Sequence, residues 1–159
     1  MNRDEILKKE MEIAEAIFGT ENDPDQMPVN EESVIKLDEI YSDWLETEFD
    51  EKGEPVSWSV VLPTQKHLAE KFMGNEITEK ELLDLTKFQE VFNALYIVSV
   101  ITVPEKRNMG LAQKVIERSV SKAPIEKNSL IFAWPTSEDG KKLISKINEK
   151  TNNLIKIKS

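Results

Sequence analysis

A short segment between Pro104 and Ala112, with the sequence PEKRNMGLA, contains residues that could bind a phosphate group. Arg107 carries a planar guanidinium that can donate two hydrogen bonds to one phosphate. Gly110 lets a ligand approach the backbone closely because it has no side chain, and Ala112 keeps a nearby position small. A turn of this kind can also serve packing alone. The residue types by themselves therefore leave a phosphate site and a structural turn both open.

The elements on either side of this segment would place it where a phosphate is favoured. Residues 94–103, ALYIVSVITV, are almost continuously apolar and β-branched, which is typical of a central strand covered on both faces. A helix is predicted from about Gly110 to Lys122. The N-terminus of a helix presents unpaired N–H groups and the positive end of the helix dipole, and both attract anions.

The order of these residues resembles the acyl-coenzyme A signature of the GNAT superfamily of N-acyltransferases. In that family a strand ends near a proline, and an R-x-x-G-x-G/A loop then leads into a helix. Here Arg107, Gly110 and Ala112 stand at the three signature places, and Pro104 has the expected spacing ahead of them. The resemblance implies that acetyl-CoA is the cosubstrate. The residues implied to bind it are Val100, Ile101 and Thr102 along the pantetheine arm, and Arg107, Asn108, Met109, Gly110, Leu111 and Ala112 around the pyrophosphate.

The same resemblance implies an α/β (α+β) fold: a GNAT-like mixed, mostly antiparallel twisted sheet flanked by helices. We expect a single domain over 1–159, with a helical N-terminal part over 1–44 and a coenzyme-binding part over 94–159. Two features depart from the family. The usual first strand is not evident, and a helical insertion over 64–90 precedes the central strand. This insertion could cover the acceptor site as a lid, or it could form the surface of a homodimer.

Local signals refine the remaining elements. Asn30 is predicted to cap a helix with Trp44 and Leu45 on its apolar side, although residues 45–49 could already be extended. The DEKGEP turn at 50–55 predicts a hairpin between a strand near 45–50 and one at 56–63. Thr64 is predicted to cap the next helix. The pair of Thr78 and Glu81 has the spacing of a capping box.

The catalytic residues are harder to assign. Many GNAT members have a tyrosine acid in the helix after the fifth strand, but the matching positions here are Leu143 and Ile144, which cannot donate a proton. The remaining candidates for acid–base work are Glu48 and Glu54 near the hairpin and Tyr96 on the central strand, with Glu46 close by. The carboxylates are more typical of an exposed hairpin. Proton transfer by a side chain increases the rate about 10²–10⁴-fold, so its absence would slow acyl transfer without changing the reaction that is catalysed.

Several other side chains admit two interpretations. His67 is more typical of a surface or cap residue than of a general base. Trp134 either packs in the core or borders the pantetheine channel. Three lysines with helical spacing form a solvated face or meet the 3′-phosphate of the coenzyme: Lys141, Lys142 and Lys146.

Composition excludes several other classes of function. The chain has no cysteine and one histidine, which argues against disulfides, thiolate chemistry and a zinc site. Its net charge of -9 argues against nonspecific nucleic-acid binding. No apolar run suggests a signal peptide or a membrane span, so we expect a cytoplasmic protein. The charge is uneven, since residues 1–55 contain 18 acidic and 5 basic side chains. This asymmetry fits either solvated helix faces or two ligand surfaces of opposite sign.

Two functions follow from these observations. The first is an acyl-CoA-dependent N-acyltransferase that transfers an acetyl group to a small-molecule or protein amine, with the acidic N-terminal third suited to a cationic acceptor. The second is a noncatalytic GNAT-like binding or regulatory module, which the missing tyrosine favours.

Overall fold

The computed structural model describes residues 2–18, 30–152 and 154–159. Within these residues the helices are α1 (Arg3–Phe18), α2 (Glu31–Ile40), α3 (Lys66–Met73), α4 (Glu79–Leu85), α5 (Leu111–Lys122) and α6 (Glu138–Thr151). The strands are β1 (Leu45–Phe49), β2 (Pro55–Thr64), β3 (Phe92–Thr102), β4 (Ile125–Ala133) and β5 (Ile155–Ile157). A 3-10 turn, Pro104–Lys106, connects β3 to the loop before α5.

The strands form one sheet in the order β1-β2-β3-β4-β5. The β1–β2 and β2–β3 pairs are antiparallel, and the β3–β4 and β4–β5 pairs are parallel. More residues pair in the antiparallel ladders than in the parallel ones, so the sheet is mixed and mostly antiparallel. The predicted fold class is confirmed, including a central strand preceded by the inserted helices α3 and α4.

Helices cover both faces of the sheet, and each face has its own apolar core. On one face, side chains of α1 to α4 such as Leu37 and Phe72 pack with Leu62 and Tyr96 of the strands. On the other face, α5 and α6 pack against Leu95 and its neighbours. Because successive side chains of a strand point to opposite faces, a strand buried on both sides must be apolar throughout. This explains the continuous apolar run of β3.

Two predicted boundaries were wrong, and packing against the sheet explains both. Helix α2 ends at Ile40, and Trp44 lies fully buried in the turn before β1. Its indole N–H donates to Asp38 Oδ1 at 2.7 Å. Thr64 does not cap a helix but ends β2, where its buried hydroxyl lies 2.6 Å from that of Thr86. Tertiary packing thus overrides the local signal in each case.

The predicted capping signals agree with the structure elsewhere. The Ser33 amide donates to the Asn30 side chain at 3.0 Å, so Asn30 caps α2 as expected. Thr78 and Glu81 form a complete capping box on α4, with both reciprocal hydrogen bonds present. This box fixes where the second inserted helix begins.

A buried carboxylate joins α1 to the hairpin. Glu10 is 2% exposed, and its Oε1 accepts a hydrogen bond from Thr47 Oγ1 at 3.0 Å. Among the described residues, no hydrogen-bond partner lies near its second oxygen. Burial raises the pKa of Glu10 to about 7, and the Thr47 hydrogen bond opposes this shift only in part. The protonated form is therefore the one that the fold favours.

We expect Glu10 to make the stability of the protein depend on pH. The pKa of Glu10 is higher in the folded chain than in the unfolded chain. Its contribution to the free energy of unfolding is therefore fully present below about pH 4.5 and is lost as pH rises through about 7. Glu10→Gln should abolish this loss and raise the free energy of unfolding above pH 7 by roughly 3 kcal/mol. Urea titrations at several pH values test this. Glu12→Gln, on an exposed position of the same helix, is the control, and an equal gain in that variant would contradict the account.

Candidate functional site

The two central strands separate at a defined point. The parallel pairing of β3 with β4 ends at Ile97 and Ala133, whereas β3 continues to Thr102 and, in the part of the chain that the structure describes, pairs there with β2 alone. A β-bulge at Val98 interrupts the register between β2 and β3 at the same place. Among the described residues, no strand therefore pairs with this edge of β3 beyond Ile97, and an unpaired edge of this kind can hydrogen-bond an extended ligand.

The loop that follows β3 bends twice through left-handed backbone. Asn108 has φ 66°, and Gly110, which precedes the first residue of α5, has φ 78°. Asn and Gly are the residues that adopt this conformation at least cost. Within the described ranges, no side chain caps α5, and no atom beyond the chain neighbours of Gly110 lies within 4 Å of the position that a Cβ would take on this residue. The binding of an anion by the first-turn N–H groups of α5 stays a prediction.

Positive charge lies beside this helix terminus. Arg107 Nε donates to the carbonyl oxygen of Thr102 at 3.2 Å, which holds the exposed guanidinium close to the end of β3. Lys106 lies half-buried next to it, and Met109 is 63% exposed at the tip of the loop. The loop therefore places a cationic side chain close to a helix N-terminus that lacks a side-chain cap among the described residues, which suits a phosphate-bearing group.

The other predicted coenzyme residues lie along this same path. Val100 packs against the core beneath α5 and α6, and Ile101 is buried with Trp58 as its cross-strand partner. The Thr102 hydroxyl lies 2.9 Å from that of Ser57. Leu111 and Ala112 are half-buried in the first turn of α5. The structure thus brings strand, loop and helix together in the predicted order, and ligand contact by these residues stays a prediction.

The carboxylates proposed as bases are engaged in ion pairs. Glu48 accepts hydrogen bonds from Arg118 Nη1 at 2.6 Å and from Lys114 Nζ at 3.1 Å. The Arg118 bond, with that of Lys114, lowers the pKa of Glu48, which makes it a weaker base. Glu54 forms an ion pair with Lys9 of α1. These contacts assign both side chains to holding elements together and disfavour proton transfer by either.

The ion pairs of β1 and α5 also account for part of the charge asymmetry. Glu46 lies 3.0 Å from Lys122 Nζ and 2.9 Å from Arg118 Nε. Arg118 therefore bridges both carboxylates of β1 from the helix above them. Acidic side chains of β1, which lies within the acidic residues 1–55, thus pair with basic side chains of α5.

Tyr96 faces the inserted helices instead of the loop. It is fully buried, and its hydroxyl donates to Glu79 Oε2 of α4. Burial, and then the nearby Glu79 charge, raises the pKa of Tyr96 well above 10, so the phenol keeps its proton. The sequence did not identify Glu79 as important. Its place beside the Thr78 cap is typical of an exposed helix start, and only the tertiary fold brings it to Tyr96.

A cavity of about 210 Å³ lies beside this pair, between the α3–α4 connection and the ends of β4 and β5. Trp134, which directly follows β4, is half-buried and makes an edge-on contact with Phe72 at a centroid distance of 5.8 Å. Lys158 lies 4.8 Å above the Trp134 ring. Trp134 therefore both contacts the core and lines a cavity, while its placement along a pantetheine channel stays a prediction.

Other candidates lie away from these features. Leu143 and Ile144 pack in the core beneath α6. His67 is exposed on α3. The exposed lysines on α6 include Lys141, which lies 3.5 Å from Glu138. In the part of the chain that the structure describes, no group of side chains could hold a metal ion. Over the same ranges, no helix combines the length and apolar character needed to cross a membrane.

These features define a class of fold: a mixed sheet whose central strands separate next to a glycine-containing loop and a helix N-terminus. The same fold occurs in the crystal structure of a Corynebacterium glutamicum protein described as "histone acetyltransferase HPA2 and related acetyltransferase". The alignment covers 93% of this chain and 81% of the other, with a TM-score of 0.51 and 17% sequence identity. No family model and no curated protein sequence matches the chain. At this identity, the likeness shows a shared fold.

Proposed function

We propose that this protein is an acyl-CoA-dependent N-acyltransferase that transfers an acetyl group from acetyl-CoA to an amine. One observation carries this proposal: β3 has no β4 partner after Ile97, and the loop that follows β3 ends at the left-handed residue Gly110, which precedes α5. An edge with unpaired backbone suits the amide-rich arm of a coenzyme. A helix N-terminus beside Arg107 suits its pyrophosphate. The acetyltransferase fold neighbour supports the same class of reaction.

In this proposal each part of the chain has a distinct task. Backbone groups of Val100, Ile101 and Thr102 pair with the pantetheine arm, and the N–H groups of residues 108–112 hold the pyrophosphate. The coenzyme supplies an acyl group activated as a thioester. A backbone N–H near Val98 would stabilise the developing oxyanion, as preorganised donors do in other acyl-transfer sites. Positioning the amine and the thioester together provides much of the acceleration.

A noncatalytic module on the same scaffold is the second candidate. Leu143 and Ile144 favour it, because they place apolar side chains where a tyrosine acid is common in the GNAT superfamily. Ion pairing of Glu48 with Arg118 favours it as well. Such a module would still bind the coenzyme through its loop and would lack turnover.

Two measurements on the wild-type protein separate these functions. Acetyl-CoA at about 100 times its Kd should raise the free energy of unfolding by about 2.7 kcal/mol, which raises Tm by roughly 5–10 °C. Acyl transfer to a panel of primary amines should then release free coenzyme A. No thermal shift would reject both functions. A shift without transfer to any amine would favour the binding module.

A further inference from the structure

The cavity beside Tyr96 and Glu79 lies next to the point where the central strands separate. Tyr96 precedes Ile97, the last residue of β3 that pairs with β4, and Trp134 directly follows Ala133, the last residue of β4 in that pairing. The inserted helices close the cavity from one side, with Phe72 from α3 and Glu79 from α4. The helical insertion therefore supplies a wall of this cavity.

The lining of the cavity combines aromatic rings with negative charge. Phe72 and Trp134 contribute the rings, whereas the charged lining residues are three carboxylates and one ammonium: Glu76, Glu79, Glu81 and Lys158. Aromatic faces attract cations through the negative charge of their π-systems, and carboxylates attract the same cations directly. With a volume of about 210 Å³, the cavity exceeds the engineered cavity of about 150 Å³ that admits benzene. A small alkylammonium fits both the chemistry and the space.

The chain already places one ammonium among these groups. Lys158 is 7% exposed, and its Nζ lies 5.3 Å from the centroid of Phe72 and 4.8 Å from that of Trp134. The same nitrogen donates to Asn75 Oδ1. An aliphatic chain that ends in a primary ammonium therefore already lines this cavity.

The backbone and the side chain of Lys158 are held by different contacts. Lys158 directly follows the last residue of β5, and its backbone N–H donates to the Ala133 carbonyl at 2.9 Å, a hydrogen bond that does not involve the ammonium. Asn75 and Glu76 are exposed and form the open rim. An incoming ammonium would replace the same contacts that Lys158 gives up. The free energy of this exchange is therefore the difference between the contacts of the Lys158 ammonium and those of the incoming ammonium.

We propose that this cavity binds the acceptor of the reaction, a primary alkylammonium such as a lysine side chain, and that Lys158 is a resident competitor for the site. The substrate role rests on the proposed function, whereas the binding of an ammonium does not. After Lys158 moves aside, the aromatic pair holds the alkyl chain and Glu79 accepts one proton from the ammonium. The amine nitrogen then bonds to the acyl carbon, the carbon–sulfur bond breaks, and the thiolate leaves with the electron pair. The second proton of the attacking nitrogen passes to solvent or to the thiolate.

The binding test needs no coenzyme. The probe is n-butylammonium, with 1-butanol as its uncharged counterpart, and the readout is the indole N–H resonance of Trp134, assigned from the spectrum of Trp134→Phe. We expect Lys158→Ala and Lys158→Gln to bind butylammonium at least about ten-fold more tightly than wild type, because the competitor is gone. Lys156→Ala removes an exposed lysine from β5, two residues before Lys158, and should leave the affinity unchanged. Adding Glu79→Gln to Lys158→Ala should weaken binding about ten-fold, or about 1.4 kcal/mol.

Two results would overturn the proposal. Butanol could bind as tightly as butylammonium, which would make the cavity merely apolar, or the Lys158 variants could bind no better than Lys156→Ala. The wild-type chain keeps the test valid if the Lys158 variants do not fold. In wild type, a Trp134 shift with butylammonium and none with butanol supports the site. No shift up to about 100 mM, where even a millimolar site is saturated, rejects it.

Measuring acetyl-CoA binding on the same variants separates this proposal from the proposed function. If butylammonium binds and acetyl-CoA does not, the acyltransferase function fails and the ammonium site remains. If acetyl-CoA binds and butylammonium does not, the coenzyme site remains and the acceptor site is rejected. If both bind, Lys158→Gln should lower the KM for the amine in the acyl-transfer assay.

Discussion

Gly110→Asp is expected to weaken acetyl-CoA binding by at least about ten-fold. The substitution places a carboxylate at the N-cap of α5, where the proposed pyrophosphate would lie. Two like charges about 4 Å apart repel by about 1 kcal/mol in water and about 4 kcal/mol near a protein surface, and each 1.4 kcal/mol changes affinity ten-fold. Calorimetric titration with acetyl-CoA measures the effect directly. A side chain at φ 78° is strained, and the favourable placement of a carboxylate at a helix N-terminus offsets part of that cost, so the stability of the variant is measured alongside its affinity.

Gly110→Asn is the matched control for this experiment. Asn and Asp have nearly the same shape, both tolerate the left-handed conformation that Gly110 adopts at φ 78°, and both cap helices well. They differ in charge, so the Asn variant should lose much less affinity than the Asp variant. Equal losses would show that space or backbone strain matters at Gly110, and that no phosphate lies nearby.

Arg118→Ala is expected to destabilise the protein by about 1–3 kcal/mol. Arg118 Nη1 donates to Glu48 at 2.6 Å, and its Nη2 donates to the carbonyl oxygen of Thr47 at 2.9 Å. The side chains of Glu46 and Glu48 are only 13% and 21% exposed, so removing the guanidinium leaves two carboxylates partly buried with less compensation. The partial exposure of Arg118 itself keeps the expected loss below that of a fully buried pair. The midpoint of urea unfolding, at an unchanged m-value, measures it.

Lys122→Ala tests whether the partial burial of the ion pairs explains the loss of stability expected for Arg118→Ala. Lys122 lies on the same helix and contacts the same Glu46, but its side chain is 58% exposed. Exposed ion pairs contribute about 0–1 kcal/mol, so this variant should remain close to wild type. A loss as large as that of Arg118→Ala would mean that the net charge sets the stability, and that the partly buried ion pairs of Arg118 with Glu46 and Glu48 do not.

The strand, loop and helix around Gly110 were predictable because each depends on local chemistry. A doubly buried strand needs an unbroken apolar run, and residues 94–103 supply one. A left-handed residue before a helix favours glycine, and Gly110 occupies that position. The capping box of Thr78 and Glu81 can be recognised from sequence because a threonine is followed three residues later by a glutamate. Each of these features can be interpreted from a few adjacent residues.

The cavity could not be predicted, because its residues come from distant parts of the chain. Glu79 from the inserted helices and Lys158 near β5 are charged residues, and charged residues in such places are usually exposed. Their burial depends on how α3 and α4 fold back over the sheet. The burial of Glu10 could not be predicted for the same reason, since its partner Thr47 belongs to a strand more than 30 residues away. Long-range packing decides such positions, and a single sequence carries little signal for it.

Backbone NMR of the wild-type protein with and without acetyl-CoA tests the coenzyme site most directly. The account predicts that the largest shifts occur at the amides of residues 108–112, at the start of α5, with a second set at residues 99–102 beyond the point where β3 and β4 separate. No shifts at a saturating concentration, or shifts confined to other parts of the sheet, would contradict it.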